Sequence, residues 1–349
     1  MTALEGACAR ECEGLLREGS GERAGERAGE RWAIGVDLGG TKVAVAAVSS
    51  AGRLAGRNET RTLKGVPPEE SLAAMVQLAE QAVCDAGIER TAISGVGVGA
   101  PGPLNSATGI IHFAPNLGWE NVAIGPYFAR NFPGIPVKLE NDANAAALGE
   151  YRFGAGRGLR HMVYITVSTG VGGGLILDGK LYTGASGGAG EIGHIPVQRE
   201  GGPRCGCGHY GCLEAVSSGT AIARMAREHV ASGGGGLLAE MAQAQAQAQG
   251  RVGAAAVGAA ARLGDPAASA ILKTAFTYLG GAMATVVNLL NPEAIIVGGG
   301  VSALWDLMLP YLQYEIDSGS VAGFQNKVQI RRAELGRDTG IYGAGALFV

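Results

Sequence analysis

Short apolar runs that end in glycine-rich turns recur along the chain from Trp32 onward. Runs of about four to eight β-branched, apolar residues predict strands, and apolar residues three and four positions apart predict helices. The predicted strands are Trp32–Val36, Lys42–Val48, Leu54–Thr60, Ile93–Gly99, Val137–Glu140, His161–Val167 and Ile295–Val297. The predicted helices are Pro67–Ala86, Asp142–Tyr151, an Ala-rich stretch over Ala221–Arg262 interrupted by a Gly-rich patch at 233–236 and a Gln-Ala repeat at 243–249, and Pro266–Leu290. Asp178-Gly179 predicts a hairpin turn, and Ser302 predicts the cap of a further helix.

The same order of strand and glycine turn appears in both halves of the chain, which predicts a duplicated α/β architecture with a cleft between two domains. In open α/β sheets ligands bind outside the carboxyl ends of the strands, so we expect the glycine turns to face that cleft. Residues 1–30 differ, because they carry a tandem Gly-Glu-Arg-Ala repeat and no strand-like run. This leader is predicted to be disordered or weakly helical.

Composition limits the classes of partner. A formal net charge of −3 over 349 residues argues against nucleic acid, which binds clustered cationic surfaces. The chain has no uninterrupted apolar run of the about 18–20 residues that a membrane-spanning helix needs. It begins without a basic segment followed by an apolar one, so no signal peptide is expected. We therefore expect a cytoplasmic protein with no membrane partner.

Three glycine-rich turns are candidates for binding phosphate or nucleotide. Glycine allows backbone N–H groups to approach phosphate oxygens, and a hydroxyl or an ammonium group adds donors and charge. The first turn alone also has the simpler interpretation of a hairpin turn. The candidate residues are Asp37, Gly39, Gly40, Thr41 and Lys42 in the first turn, Thr169, Gly170 and Gly172 in the second (Ser168–Gly174), and Gly299 and Gly300 in the third.

A polar segment, Glu140–Asn144, follows the strand predicted at Val137–Glu140. A kinase needs a carboxylate near the acceptor hydroxyl, to take its proton as the phosphoryl bond forms. Asp142 fits that role as general base, and the amide of Asn141 can bind a sugar hydroxyl as donor and acceptor. Helix capping by Asp142 is the alternative, but it explains only one of the polar positions.

Three cysteines and a histidine lie close together in sequence and predict a metal site. His194, Cys205, Cys207 and Cys212 give three thiolates and one imidazole, a set typical of a closed structural zinc site. His209 is an alternative nitrogen ligand. Three reduced, buried cysteines without metal are the other interpretation.

The predicted zinc loop, about residues 191–214, also places polar groups for a small ligand. With one ring nitrogen of His194 on the metal, the other is available to a sugar hydroxyl. Glu191 and Glu214 flank the loop, so a ligand rich in neighbouring hydroxyls, such as a hexose, suits it. Asn116 is a further candidate sugar ligand.

These motifs together resemble the ROK (repressor, open reading frame, kinase) family, and among its members the bacterial glucokinases. The resemblance runs from about Trp32 to Val349 and rests on Asp37–Lys42, Glu140–Asn144, Glu191–His194 and Cys205–Glu214. It implies a two-domain actin-like ATPase fold (ribonuclease H-like and hexokinase-like) with a structural zinc loop. The implied domains are 31–140 plus about 335–349, and 141–334, after the leader 1–30.

The resemblance further implies phosphorylation of glucose to glucose 6-phosphate with ATP and Mg²⁺, usually in a homodimer. Asp142 matches the family's general base, and Asp37 is placed to help organise Mg²⁺ through water. Ser168 departs from the family, which often has glycine there. The alternative functions are phosphorylation of fructose, mannose or N-acetylmannosamine, or sugar sensing by a transcriptional regulator, for which the leader supplies no DNA-binding module. In addition to Asp142, the residues Asn141, Glu191, His194 and Glu214 match the family's sugar ligands. His194, Cys205, Cys207 and Cys212 match its zinc ligands.

Overall fold

The computed structural model of the chain describes residues 30–323 and 327–349. The prediction for the leader falls on residues that, except for Glu30, lie outside the described ones. The strands are β1 (Trp32–Leu38), β2 (Lys42–Ser49), β3 (Leu54–Arg61), β4 (Ile93–Ala100), β5 (Leu104–Asn105), β6 (Ile110–Ala114), β7 (Trp119–Val122), β8 (Val137–Asn141), β9 (Met162–Val167), β10 (Val171–Leu177), β11 (Lys180–Tyr182), β12 (Ala294–Gly298) and β13 (Gln329–Arg332). The helices are α1 (Pro68–Ala86), α2 (Ile124–Asn131), α3 (Asp142–Phe153), α4 (Leu213–Ser217), α5 (Gly219–Ala231), α6 (Leu237–Gln249), α7 (Ala254–Arg262), α8 (Pro266–Leu290), α9 (Trp305–Gly319) and α10 (Thr339–Gly345).

Two five-stranded sheets share one strand order. The first sheet runs β3-β2-β1-β4-β8 and the second β11-β10-β9-β12-β13. In each sheet the three strands that come first in sequence form an antiparallel meander. The other two strands are parallel to the first strand of that meander, β1 in the first sheet and β9 in the second. The mixed sheets and their helices confirm the predicted α/β class and its duplication. A three-stranded sheet, β5-β6-β7, was not predicted.

The described residues divide into two compact units. The first comprises the described residues up to Asp142 together with Ala344–Val349, and the second comprises Ala143–Gly343. From the sequence, the boundaries were expected at 140 and about 335. The chain crosses from one unit to the other at the first residue of α3 and again within α10.

The first unit has its core between the first sheet and helices α1 and α2. Buried aromatic side chains of Trp32, Trp119, Phe128 and Phe132 fill much of it. Helix α1 ends at Gly87, whose φ of 63° is left-handed and whose N–H donates to the carbonyl of Cys84. This is the usual way in which glycine terminates a helix.

The second unit is built around α8, which packs against α4, α5, α7 and α9. The carboxylate of Asp265 accepts a hydrogen bond from the N–H of Ala268 and caps the start of this helix. By length and composition α8 is apolar enough to cross a membrane, with a mean hydropathy of 1.4 over 18 residues. More than half of that window is buried within the unit, as in the core helix of a globular protein.

Two local predictions were wrong. Ser302 does not cap a helix, because it lies inside a 3₁₀ helix (Gly300–Leu304), and α9 begins after it at Trp305. The interruption of the Ala-rich stretch predicted at the Gln-Ala repeat is also wrong, because residues 243–249 lie within α6 and the helix ends after them. Gly250 has a φ of 68°, which ends α6 in the left-handed region.

Candidate active site

The carboxyl ends of three parallel strands meet at one edge of the first sheet. In the register Asp37 of β1 is paired with Gly99 of β4, which in turn is paired with Glu140 of β8. Asn141 ends β8, and Asp142, the first residue of α3, is exposed. Glu140 is only 8% exposed and accepts a 2.9 Å hydrogen bond from the Asn141 N–H. The carboxylate of Asp142, not that of Glu140, is therefore accessible to a ligand.

The first candidate phosphate turn is a three-residue hairpin connection, Gly39–Thr41, between β1 and β2. The Gly39 N–H donates to the Lys42 carbonyl at 2.9 Å and closes the hairpin. Among the described residues, the N–H groups of Gly40 and Thr41 have no hydrogen-bond acceptor. A Cβ atom added at Gly40 would lie 3.6 Å from Cβ of Asn116, so the structure brings this candidate sugar ligand to the turn. The hairpin interpretation is correct, and two donors of the turn still face no acceptor.

Lys42 has a partner of its own. Its ammonium lies 3.2 Å from a carboxylate oxygen of Glu59 on the neighbouring strand β3. Hydrogen bonds from Arg57 and then from Lys42 hold the pKa of Glu59 below its usual range. The ion pair directs the lysine along the sheet, so the backbone of the turn is the stronger candidate for phosphate binding.

The second candidate turn, Ser168–Gly170, connects β9 and β10 with the same number of residues. The Ser168 N–H donates to the Gly170 carbonyl at 2.8 Å. Within the described ranges, the N–H groups of Thr169 and Gly170 meet no acceptor. The turn thus has the same two available donors as its counterpart in the first unit.

The third turn lies beside the second. Gly299 has a φ of 83°, and a Cβ atom there would lie 2.7 Å from Oγ1 of Thr166, at the end of β9. Gly172, by contrast, lies within β10, where an added Cβ atom would be 3.1 Å from Cβ of Ala143. Close packing of α3 on the sheet is therefore a sufficient reason for glycine at that position.

His194 and three cysteines form a compact cluster. One ligand atom from each of His194, Cys205, Cys207 and Cys212 lies within 4.8 Å of all the others. Two thiolates bound tetrahedrally to zinc at about 2.3 Å lie about 3.8 Å apart. The Sγ atoms of Cys207 and Cys212 are 3.7 Å apart, and Cys205 Sγ is 3.7 Å from Nδ1 of His194. These residues therefore fit a tetrahedral zinc ion.

His209 lies at the edge of this cluster. Its Nδ1 atom is 3.6 Å from Sγ of Cys207, and it does not belong to the group of mutually close ligand atoms. Burial favours the neutral thiol of Cys207, but hydrogen bonds from the backbone and ring of His209 outweigh burial and lower the pKa to about 6. Burial raises the pKa of Cys205 to about 12. The lowered pKa of Cys207 favours its thiolate, which is the form that binds metals.

Of the two carboxylates that flank the cluster, Glu214 joins it to the second turn. Oε2 of Glu214 accepts a 3.0 Å hydrogen bond from the Val171 N–H, while its Oε1 is 3.7 Å from Sγ of Cys205. The absence of a Cβ atom at Gly170 leaves room for the Glu214 carboxylate in this position. On the other side, Nε2 of His194 is 3.7 Å from Oε2 of Glu191. In the second unit, then, the predicted sugar ligands are contiguous with the metal cluster and the turn.

Two threonines contact the turns and were missed by the sequence analysis. The hydroxyl of Thr62 donates to the Gly39 carbonyl at 2.7 Å, and the hydroxyl of Thr220 donates to the Thr169 carbonyl at 2.7 Å. They lie 23 and 51 positions from their partners, so no local pattern signals either contact.

Comparison with known proteins places the chain among sugar kinases. Residues 33–349 match the ROK family. The chain is 37% identical to a glucokinase of Halalkalibacterium halodurans over 91% of its own length and 94% of the relative's. It is similar to a crystal structure of a ROK family glucokinase from Streptomyces griseus in complex with glucose and AMPPNP, with a TM-score of 0.75 and 34% identity. That match covers 91% of this chain and 99% of the other.

The matches also include a regulator. A xylose repressor of Caldicellulosiruptor bescii is 31% identical over 86% of this chain. The match covers only 74% of the repressor, whereas it covers 94% of the glucokinase.

Proposed function

The chain belongs to the ROK family, and from that premise we propose that it transfers the γ-phosphoryl group of ATP to the C6 hydroxyl of glucose, with Asp142 as the general base. ATP-dependent phosphorylation of glucose follows from 35–37% identity to glucokinases over most of the chain. The observation that carries the role of Asp142 is its position. It is an exposed carboxylate directly after the carboxyl end of β8, beside Asn141.

The proposed step needs one proton acceptor and fixed hydroxyls. The Asp142 carboxylate takes the proton of the sugar hydroxyl as its oxygen bonds to the γ-phosphorus and the bond to the ADP oxygen breaks. We assign the hydroxyls of the sugar to Asn116, Asn141, Glu191, His194 and Glu214. The Val171 N–H holds the carboxylate of Glu214.

We assign the nucleotide to the glycine turns. The available N–H groups of Gly40, Thr41, Thr169 and Gly170 are suited to phosphate oxygens, since backbone donors at such turns bind anions. Mg²⁺ would enter with ATP and offset its phosphate charge, and Asp37 is the residue assigned to orient it through water. The third turn, with Gly299 and Gly300, is assigned to the nucleoside.

A structural zinc ion is the metal that suits the cluster of His194, Cys205, Cys207 and Cys212. Three thiolates and one imidazole leave no open coordination position, so the ion would stabilise the loop and take no part in the reaction. With Nδ1 of His194 facing the cysteines, its Nε2 faces Glu191 and remains available to the sugar. The proposal also includes a homodimer in the cytoplasm that acts in glycolysis, as the family resemblance implies.

A direct assay of ADP release identifies the preferred sugar. Release of ADP from ATP is followed with glucose, fructose, mannose and N-acetylmannosamine, with a sugar-free reaction as background. We expect the highest kcat/KM for glucose. A higher value for another hexose would reassign the substrate. No sugar-dependent release of ADP would refute the kinase and favour the regulator as the second candidate, which the match to a xylose repressor supports.

A further inference from the structure

Thr62 holds two carbonyl groups of the first turn. Its hydroxyl donates to the Gly39 carbonyl at 2.7 Å, and its N–H donates to the Thr41 carbonyl at 3.1 Å. Thr62 follows directly after β3, so the adjacent strand fixes its backbone. The two carbonyl groups of the turn are therefore directed toward β3.

Thr220 makes a similar contact with the second turn, but with the second residue of the turn rather than the first. Its hydroxyl donates to the Thr169 carbonyl at 2.7 Å, and the N–H of Gly219 donates to the Ser168 carbonyl at 2.8 Å. Both residues lie in the first turn of α5, whose cap is Ser218. Here a helix, rather than a strand, holds the carbonyl groups of the turn.

The direction of a carbonyl group determines that of the next N–H group. In a planar trans peptide the C=O and the following N–H point to opposite sides. With the Gly39 carbonyl bound to Thr62, the Gly40 N–H points away from Thr62. With the Thr169 carbonyl bound to Thr220, the Gly170 N–H points away from α5. They are two of the four N–H groups of these two turns for which the described part of the chain offers no acceptor.

We propose that Thr62 and Thr220 are positioning residues that orient the Gly40 and Gly170 N–H groups toward the phosphates of ATP. This rests on the proposed assignment of the nucleotide to these turns. Neither hydroxyl is needed to close its hairpin, because backbone hydrogen bonds from Gly39 to Lys42 and from Ser168 to Gly170 already do so. In each of two units whose sheets have the same strand order, a threonine hydroxyl donates at 2.7 Å to a carbonyl of the turn, which belongs to the first residue of one turn and to the second residue of the other.

The test compares substitutions that remove or keep the hydroxyl. Thr62→Val and Thr220→Val keep the side-chain shape and remove the donor, while Thr62→Ser and Thr220→Ser keep it. Thr274→Val is the matched control, since the exposed Thr274 hydroxyl also donates to a backbone carbonyl, at 3.0 Å, but within helix α8. The measurements are KM for ATP and for glucose, the Kd of AMPPNP by calorimetry, and Tm.

We expect each valine variant to raise KM for ATP and the Kd of AMPPNP about threefold to tenfold, the effect of losing one hydrogen bond. KM for glucose stays unchanged, Tm changes no more than in Thr274→Val, and each serine variant restores the wild-type values. An unchanged Kd of AMPPNP in a valine variant overturns the proposal for that residue. An equal rise in both KM values, or no recovery with serine, shows a merely structural role and also overturns it.

Failure of the proposed function gives a different result. If the wild-type protein releases no ADP with glucose and does not bind AMPPNP, the nucleotide assignment itself is wrong. If the wild type binds AMPPNP and the valine variants bind it equally well, only the role of the two threonines is refuted.

Discussion

Glu214 shows how one side chain joins separate parts of the site. One carboxylate oxygen accepts from the Val171 N–H, and the other lies 3.7 Å from Sγ of Cys205. The absence of a side chain at Gly170 leaves room for this arrangement. A change in the cysteine loop is therefore expected to alter both the candidate sugar ligands and the candidate phosphate turn, although no cysteine contacts the nucleotide in the proposed scheme.

The zinc assignment makes a prediction at individual residues. Cys207→Ser is expected to abolish tight zinc binding and raise KM for glucose, because the loop that holds His194 and Glu214 loses its metal. His209→Ala is the matched control, since it alters a neighbour of Cys207 that lies outside the cluster. Metal analysis should find about one zinc per chain in the wild type and in the control. Zinc retained by Cys207→Ser, or lost from His209→Ala, would contradict the ligand set.

At the scale of elements, the contact between α8 and α9 depends on a glycine. An added Cβ at Gly280 would lie 2.6 Å from Cβ of Glu315 and 3.3 Å from Cα of Leu312. The next residue, Gly281, has nothing within 4 Å of such an atom. Gly280 thus allows the close contact with α9, whereas Gly281 makes no such contact.

This difference predicts stability changes of opposite sign. Gly280→Ala should destabilise the protein by about 1–3 kcal/mol, the cost of overpacking a close helix contact. Gly281→Ala should stabilise it by about 0.5–1 kcal/mol, because alanine is the better helix former and meets no neighbour. Denaturant unfolding of both variants measures the two values. A loss of stability in Gly281→Ala would be inconsistent with the packing described.

The sequence predicts the helices and strands that have a strong hydrophobic periodicity. It does not predict those whose conformation depends on tertiary contacts. The strands of both five-stranded sheets, apart from β10, β11 and β13, and the long helices α1 and α8 follow from local patterns. The sheet β5-β6-β7 was missed because its strands are short and Asn121, within β7, has a φ of 52°. Ser302 has a residue type favourable for capping, but the chain there forms a 3₁₀ helix instead.

The candidate site divides in the same way. The cysteine spacing and the polar segment after β8 are local, so the sequence alone indicates the cluster and Asp142. The contacts of Thr62, Thr220 and Lys42 with their partners depend on how distant segments pack. Such contacts leave no pattern in the sequence.

At the scale of the whole molecule, the chain repeats one arrangement. Each unit has a sheet with the same strand order, a three-residue turn between its first two strands, and a threonine hydroxyl on a carbonyl of that turn. The duplicated sheets provide the two turns to which we assign the phosphates, whereas the proposed general base Asp142 and the cluster of His194 with three cysteines each occur once in the described residues. In the proposed scheme, nucleotide binding therefore depends on the repeated arrangement, and sugar chemistry depends on residues that differ between the halves.

The most direct test of the account is the substitution Asp142→Asn. It keeps the shape of the side chain and removes the proton acceptor, so we predict that kcat for glucose falls about 10²-fold or more while glucose binding, measured by calorimetry, is retained. Asp178→Asn, at the exposed turn between β10 and β11, is the control and should leave kcat unchanged. Near-normal turnover of Asp142→Asn with glucose and ATP would contradict the assignment of Asp142 as general base.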